Sequence, residues 1–511
     1  MKRAAILVLS FLACLVPSRG AGPAGDPLTE LRGLFDAGKC DELLARARAA
    51  GDALASNPDV LVLEANCLVR AARTPQRVFD GKRYERMKIA RGAGFVPPAL
   101  TERFYVTRVR WDAAKRDEAL TLFRRALEIA PDRGDLVAGN VAALLDAGRT
   151  DDALELLRAH RRALRERDLD DLLQASQDML RRGESDTALR LARALQEAAP
   201  TGEQGYMAEA VVLLDRYDTR GAIRALEEAH QRNPGRDGIV ERLGFLLGMA
   251  RDWREESRVL ATSVRDDRPH WLAWLAIARG RLAPGSDRPL WEDLRKALSK
   301  LREPPASLAE LAKHRLALLA EKREPRPTTR VNAARWFLER GLPVAAVAEL
   351  DAAMAANPSP VSAREEYVSL LRRRGLLDLA AQACRDGIED IAAGRVVLGD
   401  GTPAGKDRQG LFASALARVL FGMGRDREAV SAEEQAARFG HPDPLVRGLA
   451  LEALGKREEA VAAFREAAAA GGDDADWAKA RLRRLVPAED GKTGQSPGVT
   501  SPPAPGRDRR P

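Results

Sequence analysis

Residues 119–131 read ALTLFRRALEIAP, in which a small residue, a large apolar residue and a second small residue precede a proline: Ala119, Phe123, Ala126 and Pro131. Spacings of four and three place the first three on one face of a helix, and the proline ends that helix. The opening small residue recurs about every 34 residues, a period typical of stacked helical hairpins rather than of one globular core.

Eight copies of this pattern align on the small residue that opens the second helix of each hairpin: Ala119, Ala153, Ala188, Ala222, Ala346, Ala380, Ala429 and Ala460. A large or apolar residue follows four positions later in most copies. Two less regular copies run through Glu256 and Leu290, and Glu256 stands where the other repeats are small. Glycine after a basic turn, as in Arg373-Arg374-Gly375, predicts the end of a first helix.

This pattern resembles the tetratricopeptide repeat family, whose second-helix motif is matched fully by residues 119–131. The resemblance covers most of residues 27–486, with about eleven copies. The Trp and Gly-x2-Tyr signature of the family's first helices is mostly missing, although Leu243-Gly244 and Leu247 keep part of it. The resemblance implies an all-α fold, a right-handed α-solenoid of helix hairpins.

Changes in composition divide the chain further. Repeats occupy residues 27–302 and 329–486, with an irregular insert near 73–100, a helical insert at 303–328 and a long loop at 391–409 before a capping helix. Residues 21–26 form a linker. The stretch 487–511 is rich in Gly, Pro, Ser, Thr and charge and is predicted to be a disordered tail.

The N-terminus has the pattern of a secretory signal peptide. Lys2 and Arg3 precede an apolar run that Pro17 breaks, and the small residues Ser18 and Gly20 stand three positions and one position before Ala21. Residues 1–20 are therefore predicted to direct export, to the periplasm or cell envelope of a bacterium. Two alternatives stay open: an uncleaved membrane anchor, and a lipoprotein, since residues 11–14 (FLAC) resemble a lipobox. No other segment is long and apolar enough to cross a membrane.

Four cysteines occur in the chain. Cys40 and Cys67 are expected on consecutive helices, and in an oxidising compartment they form either a disulfide or two buried thiols that never meet. A bridge there would stabilise the fold by roughly 3 kcal/mol. Cys384 occupies a core position of its repeat. No CxxC pair is present and the five histidines are scattered, so we expect no metal site.

Charge and motifs weigh against several functions. The 83 basic and 75 acidic residues alternate along single segments, as in residues 161–170, which is typical of solvated helix faces rather than of a nucleic-acid site. GxSxG, HExxH and P-loop motifs are absent from the sequence. We therefore expect a protein that is not an enzyme and needs no cofactor.

The resemblance also implies where a partner would bind. In this family the first helices line a concave groove that takes peptides or partner helices, and aromatic and arginine side chains dominate such interfaces. Counting back from the anchors gives ten groove candidates: Phe104, Arg108, Trp111, Met207, Val211, Phe245, Arg335, Leu338, Arg372 and Phe421. The Lys and Asn positions of the family's carboxylate-binding members hold Phe104, Arg108, Ala138 and Ala142 here, which argues against that activity.

The sequence thus favours an exported, non-catalytic scaffold or adaptor that binds a protein or peptide in the bacterial cell envelope. An alternative is an envelope factor that binds peptidoglycan or another glycan, because Trp271, Trp274 and Trp291 are concentrated in one repeat and aromatic faces stack on sugars.

Overall fold

The computed structural model describes residues 26–91, 104–263, 268–320 and 325–486. The predicted signal peptide, nearly all of the linker and the predicted tail lie outside the described residues. No described helix is both long and apolar enough to span a bilayer.

Helices dominate the fold. In the first half of the chain they are α1 (Pro27–Asp36), α2 (Cys40–Ala49), α3 (Asp52–Ala55), α4 (Pro58–Ala72), α5 (Gly81–Arg91), α6 (Ala113–Ile129), α7 (Gly134–Asp146), α8 (Thr150–Ala159), α9 (Glu166–Arg181), α10 (Ser185–Ala198), α11 (Gln204–Asp215), α12 (Thr219–Arg232), α13 (Asp237–Ala250) and α14 (Trp253–Ser263).

In the second half they are α15 (Pro269–Leu282), α16 (Arg288–Ser299), α17 (Ala306–Ala320), α18 (Pro327–Glu339), α19 (Pro343–Met354), α20 (Val361–Arg374), α21 (Leu377–Ala392), α22 (Lys406–Gly422), α23 (Asp426–Arg438), α24 (Pro444–Ala453), α25 (Arg457–Ala470) and α26 (Asp473–Leu485). A single-turn 3-10 helix (Arg161–Ala163) and four strands complete the described elements. The strands are β1 (Arg73–Phe79), β2 (Tyr105–Trp111), β3 (Ser359–Pro360) and β4 (Val396–Val397).

Eleven hairpins can be traced within the described residues, which confirms the predicted solenoid. They pair α1 with α2, α4 with α6, α7 with α8, α9 with α10, α11 with α12, α13 with α14, α15 with α16, α18 with α19, α20 with α21, α22 with α23, and α24 with α25. We number them 1 to 11 in this order. The unpaired helix α17 packs on α16, and α26 packs on α25 at the end of the array.

The repeat anchors lie in the core as predicted. All eight opening alanines, from Ala119 to Ala460, are fully buried at 0% exposure. A side chain no larger than a methyl group lets neighbouring helices approach closely, and the residue four positions later fills the space beside it. Phe123 and Phe464 are such residues and are 1% or less exposed. The short turns between helices use left-handed glycines, such as Gly375 with φ 77°.

Hairpin 2 is interrupted between its two helices. Strand β1 leaves α4, helix α5 follows it, and β2 returns antiparallel to β1 with Arg73 opposite Trp111 and Phe79 opposite Tyr105. The first helix of this repeat is therefore α4, and the expectation that Phe104, Arg108 and Trp111 lie on a first helix is wrong. Phe104 immediately precedes β2, and the other two lie on that strand.

The array also folds back on itself. Asp378, in the first turn of α21, accepts hydrogen bonds from the backbone nitrogen (2.7 Å) and the hydroxyl (2.6 Å) of Thr219, at the start of α12. Tyr367 on α20 donates to the carbonyl of Met249 on α13 (2.8 Å). Hairpins 5 and 6 therefore contact hairpin 9, which is far from them in sequence.

Two local features link neighbouring helices. Cys40 at the start of α2 and Cys67 on α4 form a disulfide, with their Cα atoms 5.1 Å apart. In the second half, the buried carboxylate of Glu349 on α19 pairs with Arg315 of α17 (2.8 Å) and with Arg330 of α18 (3.0 Å). This double pairing joins the extra helix α17 to hairpin 8.

Candidate functional site

Helix α5 lies far from its own repeat. It belongs to the insert in hairpin 2, yet it packs mainly on α22 of hairpin 10 and also touches α20 of hairpin 9. We call the surface that receives it the α5 site, formed by Asp215, Arg372, Phe421, Gly422, Asp426, Trp477 and Arg481. These residues come from the ends of first helices, the start of α23 and the final helix α26.

Charged side chains form most of the polar contacts between α5 and the α5 site. Arg86 donates to both carboxylate oxygens of Asp426 (2.6 and 3.0 Å) and to the carbonyl of Phe421 (2.6 Å). Its guanidinium carbon also lies 4.5 Å from the centroid of the Phe421 ring. Bidentate pairing of this kind fixes direction as well as position, so Arg86 orients α5 on the site.

Further ion pairs flank this one. Glu85 pairs with Arg481 of α26, and Arg481 also binds Glu452 (2.9 Å). Arg83 pairs with Asp215 at the end of α11. Burial acts to lower the pKa of Arg83, but the neighbouring Asp215 outweighs it, and the pKa is raised. The site thus carries charges that complement those of the helix it holds.

A small apolar centre lies between the charged contacts. Ile89 is 6% exposed and Ala90 is fully buried, and both belong to the main hydrophobic core. Ala90 lies against Gly422, where an added Cβ would overlap the Cβ of Ala90. Two small residues, one on each helix, therefore permit the close approach of α5 and α22. Lys88 lies over the ring of Trp477, with its nitrogen 4.5 Å from the centroid.

The C-terminal end of α5 is capped by the array. The Arg372 side chain donates to the carbonyl of Ala90 (2.6 Å), and Arg91 donates to the carbonyl of Arg373 (2.6 Å). The last carbonyls of a helix have no partner within the helix, and guanidinium groups can satisfy them. Burial lowers the pKa of Arg372. Helix α5 is thus bound along its length and at its end.

Of the ten groove candidates, the structure brings Arg372 and Phe421 together at the α5 site. Phe104 packs instead on Tyr84 at the base of the insert, with ring centroids 5.4 Å apart. The remaining candidates lie elsewhere. Met207, Phe245 and Leu338 are half-buried against the main core, Val211 and Trp111 are half-buried, Arg108 is exposed, and Arg335 pairs with Glu366.

Four residues of the α5 site were not predicted from the sequence: Asp215, Asp426 and Arg481, which form its ion pairs, and Trp477, which lies under Lys88. Trp477 carried a signal, because a tryptophan in an otherwise polar last helix has a large apolar face to cover. The acidic and basic members carried none, since both charge types occur throughout the helix surfaces.

The three tryptophans do not form an exposed surface. Trp271 is 1% exposed and Trp291 is fully buried, with its indole nitrogen donating to Asp287 (2.8 Å). Only Trp274 is half-buried, 5.5 Å from the ring of His270. A sugar-stacking platform needs exposed ring faces, so this trio does not support the glycan hypothesis.

A second feature is a cleft of about 640 Å³ between α6 and α8. Leu120, Leu127 and Leu144 form its floor, and His160, half-buried at the end of α8, lies at its edge. Its ring nitrogen Nδ1 lies 3.3 Å from the carbonyl oxygen of Pro131. Within the described residues, no group of three or more His, Cys, Asp or Glu side chains could hold a metal ion.

Comparison with known proteins agrees with the repeat geometry. The sequence profile described as tetratricopeptide repeat matches residues 110–175, which include all of α6, α7 and α8. No curated protein matches the sequence.

Similar solved structures cover between 42% and 90% of the chain at 11–16% identity. The hetero-tetramer Cut9–Hcn1 of APC/C is 11% identical and covers 90% of this chain and 96% of that one, with a TM-score of 0.26. YrrB, described as a tetratricopeptide repeat protein with an unusual peptide-binding site, is 16% identical and covers 42% and 89%, with a TM-score of 0.23. A tetratricopeptide repeat protein from Parabacteroides merdae is 13% identical and covers 62% and 98%, with a TM-score of 0.23.

These TM-scores are too low to support an argument from overall shape. Residues 110–175 match the tetratricopeptide repeat profile, and the spacing of buried alanines in that segment continues through the hairpins outside it. The chain is therefore similar to tetratricopeptide repeat proteins in the geometry of its hairpins.

Proposed function

We propose that this protein is an exported, non-catalytic scaffold of the bacterial cell envelope that binds a partner protein or peptide on its helical array. The observation that carries the proposal is the α5 site, where the array holds a helix that is not part of any hairpin. A surface that binds one helix by ion pairs, a small apolar centre and a terminal cap has the components of a protein interface.

Two features support export. The N-terminal pattern of residues 1–20 is that of a signal peptide. The Cys40–Cys67 disulfide suits an oxidising compartment, because thiols are kept reduced in the cytosol. Retention of the protein at the membrane through its N-terminus is an outcome that fractionation would distinguish from a free periplasmic form.

The test is capture of the protein from its native envelope after crosslinking. The chain carries a tag after residue 511, and recovered proteins are identified by mass spectrometry. We expect to recover one partner in an amount nearly equal to that of the tagged chain. We expect Asp426→Arg to change the amount of this partner that is recovered. The exposed residue Arg465, changed to Glu, provides a matched charge-reversal control outside the α5 site.

Recovery of the bait alone, despite crosslinking, would contradict a scaffold role. Recovery of the same partner in equal amounts from all variants would place binding elsewhere on the array. For location, protease protection in intact cells and after outer-membrane rupture separates an exported protein from a cytosolic one.

A further inference from the structure

The α5 site is built to hold a helix that the solenoid itself does not require. In a repeat array each hairpin packs on its neighbours, so stability is supplied locally. Helix α5 instead contacts residues that are far from it in sequence. Arg86 and Asp426 are 340 positions apart, and Glu85 and Arg481 are 396 positions apart. Helix α5 relates to the array as a ligand tethered to its receptor does.

The interface also has the composition of a binding surface. Only Ile89 and Ala90 of the eleven residues in α5 are buried, and ion pairs surround them. Charged pairs at the rim and a small dry centre are typical of interfaces between separate proteins. The core of a single domain would bury a wider apolar stripe of the helix.

The contacts define which helix fits. Asp426 requires an arginine, Trp477 favours a cation two positions later, the core takes an apolar residue next, and Gly422 accepts alanine after that. Arg372 then donates to the carbonyl of that alanine, and the described helix ends one residue later at Arg91. In α5 these positions are Arg86, Lys88, Ile89 and Ala90.

We infer that the α5 site is the partner site of this protein, that its ligand is a basic helix ending in Arg-x-Lys-apolar-Ala, and that α5 occupies it as an internal competitor. This inference rests on the proposed function, because it names the surface and the partner chemistry of the same scaffold. Affinity of a partner would then be lowered by the effective concentration of the tethered helix.

The first experiment measures binding of the helix in trans. A labelled, C-terminally amidated peptide of residues 80–91 (DGKRYERMKIAR) is titrated with the full chain and with a variant in which Asn-Gly replaces residues 81–103. That link fits because the backbone nitrogen of Asp80 donates to the carbonyl of Phe104 (2.7 Å), and a two-residue turn closes a hydrogen-bonded pair of this kind.

We expect the peptide to bind the insert-deleted chain, and to bind the full chain at least about tenfold more weakly. Peptides carrying Arg86→Glu or Ala90→Leu should lose roughly tenfold in affinity, a change of about 1.4 kcal/mol. On an insert-deleted chain that carries Asp426→Arg, the Arg86→Glu peptide should bind better than the native one. A scrambled peptide of the same composition controls for charge alone.

A folded insert-deleted chain that does not bind the peptide would overturn the inference. Equal binding of the native and the Ala90→Leu peptides would do so as well. If the deletion fails to fold, the full chain with Arg86→Glu replaces it, since that change weakens the resident helix and leaves the site intact. A dimer of the full chain that the peptide dissociates would also overturn the assignment, because the ligand would then be a second copy.

The second experiment joins the inference to the partner. A partner captured from the envelope should be enriched on the insert-deleted chain and released by the native peptide, but not by the Ala90→Leu peptide. A partner that is captured but not released would leave the scaffold function standing and refute this site. Peptide binding without any captured partner would refute the scaffold function while the specificity of the site for this helix stands.

Discussion

Glu256 occupies the position at which eight other repeats place a buried alanine. Its side chain is 0% exposed, and neither carboxylate oxygen has a hydrogen-bond partner. Gly248 leaves room for it, since an added Cβ there would lie 3.0 Å from Oε1. Burial raises the pKa of Glu256 well above its ordinary value. The repeat thus tolerates the buried acid because Gly248 leaves space for its side chain and because burial favours the protonated form of its carboxyl group.

This arrangement predicts a pH-dependent cost. Because the pKa is raised in the folded state, folded protein binds more protons than unfolded protein, and stability falls as the pH rises above about 4.5, the ordinary pKa of a glutamate. Glu256→Met should stabilise α14 by about 1–3 kcal/mol at pH 8 and by much less near pH 4. Hydrogen exchange of α14 measures this locally.

The control for Glu256 is Glu459→Gln, a change at a side chain that is 56% exposed. It should leave the exchange of α14 unchanged at both pH values. A Glu256→Met variant that is less stable than the wild type at pH 8 would show that the carboxylate has a partner after all.

Gly422 and Ala90 form a second pair of mutually dependent residues. Gly422→Ala should displace α5, because the added methyl group overlaps that of Ala90, and overpacking costs about 1–3 kcal/mol. Adding Ala90→Gly should restore docking by moving the methyl group to the other helix. Protection of α5 from hydrogen exchange is the measurement.

The matched control is Gly33→Ala, where the added methyl group meets no atom within 4 Å. It should leave the protection of α5 unchanged. If Gly422→Ala also leaves it unchanged, the two helices are not held in contact at these residues.

Among the elements, the second helices of the hairpins could be predicted and the insert could not. A small, a large apolar and a second small residue at spacings of four and three indicate a packed helix face, so one motif located the anchors in eight hairpins. The position of α5 depends on residues hundreds of positions away, and no local pattern contains that information.

The error at Phe104, Arg108 and Trp111 has a local cause. Extending the repeat backwards from Ala119 assumed that the preceding helix was adjacent in sequence, whereas the insert separates α6 from α4. The stretch 105–111 reads YVTRVRW, with β-branched and aromatic residues typical of a strand. This composition favours a strand, whereas the prediction of a helix followed the period of the repeat.

Helices α2 and α4 yield a prediction through their disulfide. Replacing Cys40 and Cys67 with alanine should lower the stability of hairpin 1 by about 3 kcal/mol. A reducing agent should have the same effect on the wild-type chain and none on the variant, as seen by hydrogen exchange of α1 and α2. Cys384 should stay unalkylated in folded protein, because burial raises its pKa to about 12. An unchanged hairpin 1 after reduction would contradict a structural role for the bridge.

At the scale of the whole molecule, the contacts between hairpins 5, 6 and 9 set how tightly the array is coiled. Asp378→Ala and Tyr367→Phe together remove three hydrogen bonds that cross between distant hairpins. We expect the double variant to be more extended, with a larger radius of gyration by small-angle X-ray scattering. Asp476→Ala, at a side chain 84% exposed, is the control and should scatter like the wild type. If the double variant scatters like the Asp476→Ala control, apolar packing alone sets how tightly the array is coiled.

The α5 site also limits how early α5 can dock while the protein is being synthesised. Helix α5 leaves the ribosome early, whereas Arg481 is separated from Glu85 by 396 positions. At about 5–20 residues per second that is a delay of roughly 20–80 s. A chain that stops short of α26, or loses it to a protease, lacks Trp477 and Arg481 and holds α5 less firmly. Helix α5 can therefore make its full set of contacts only after α26 has been made.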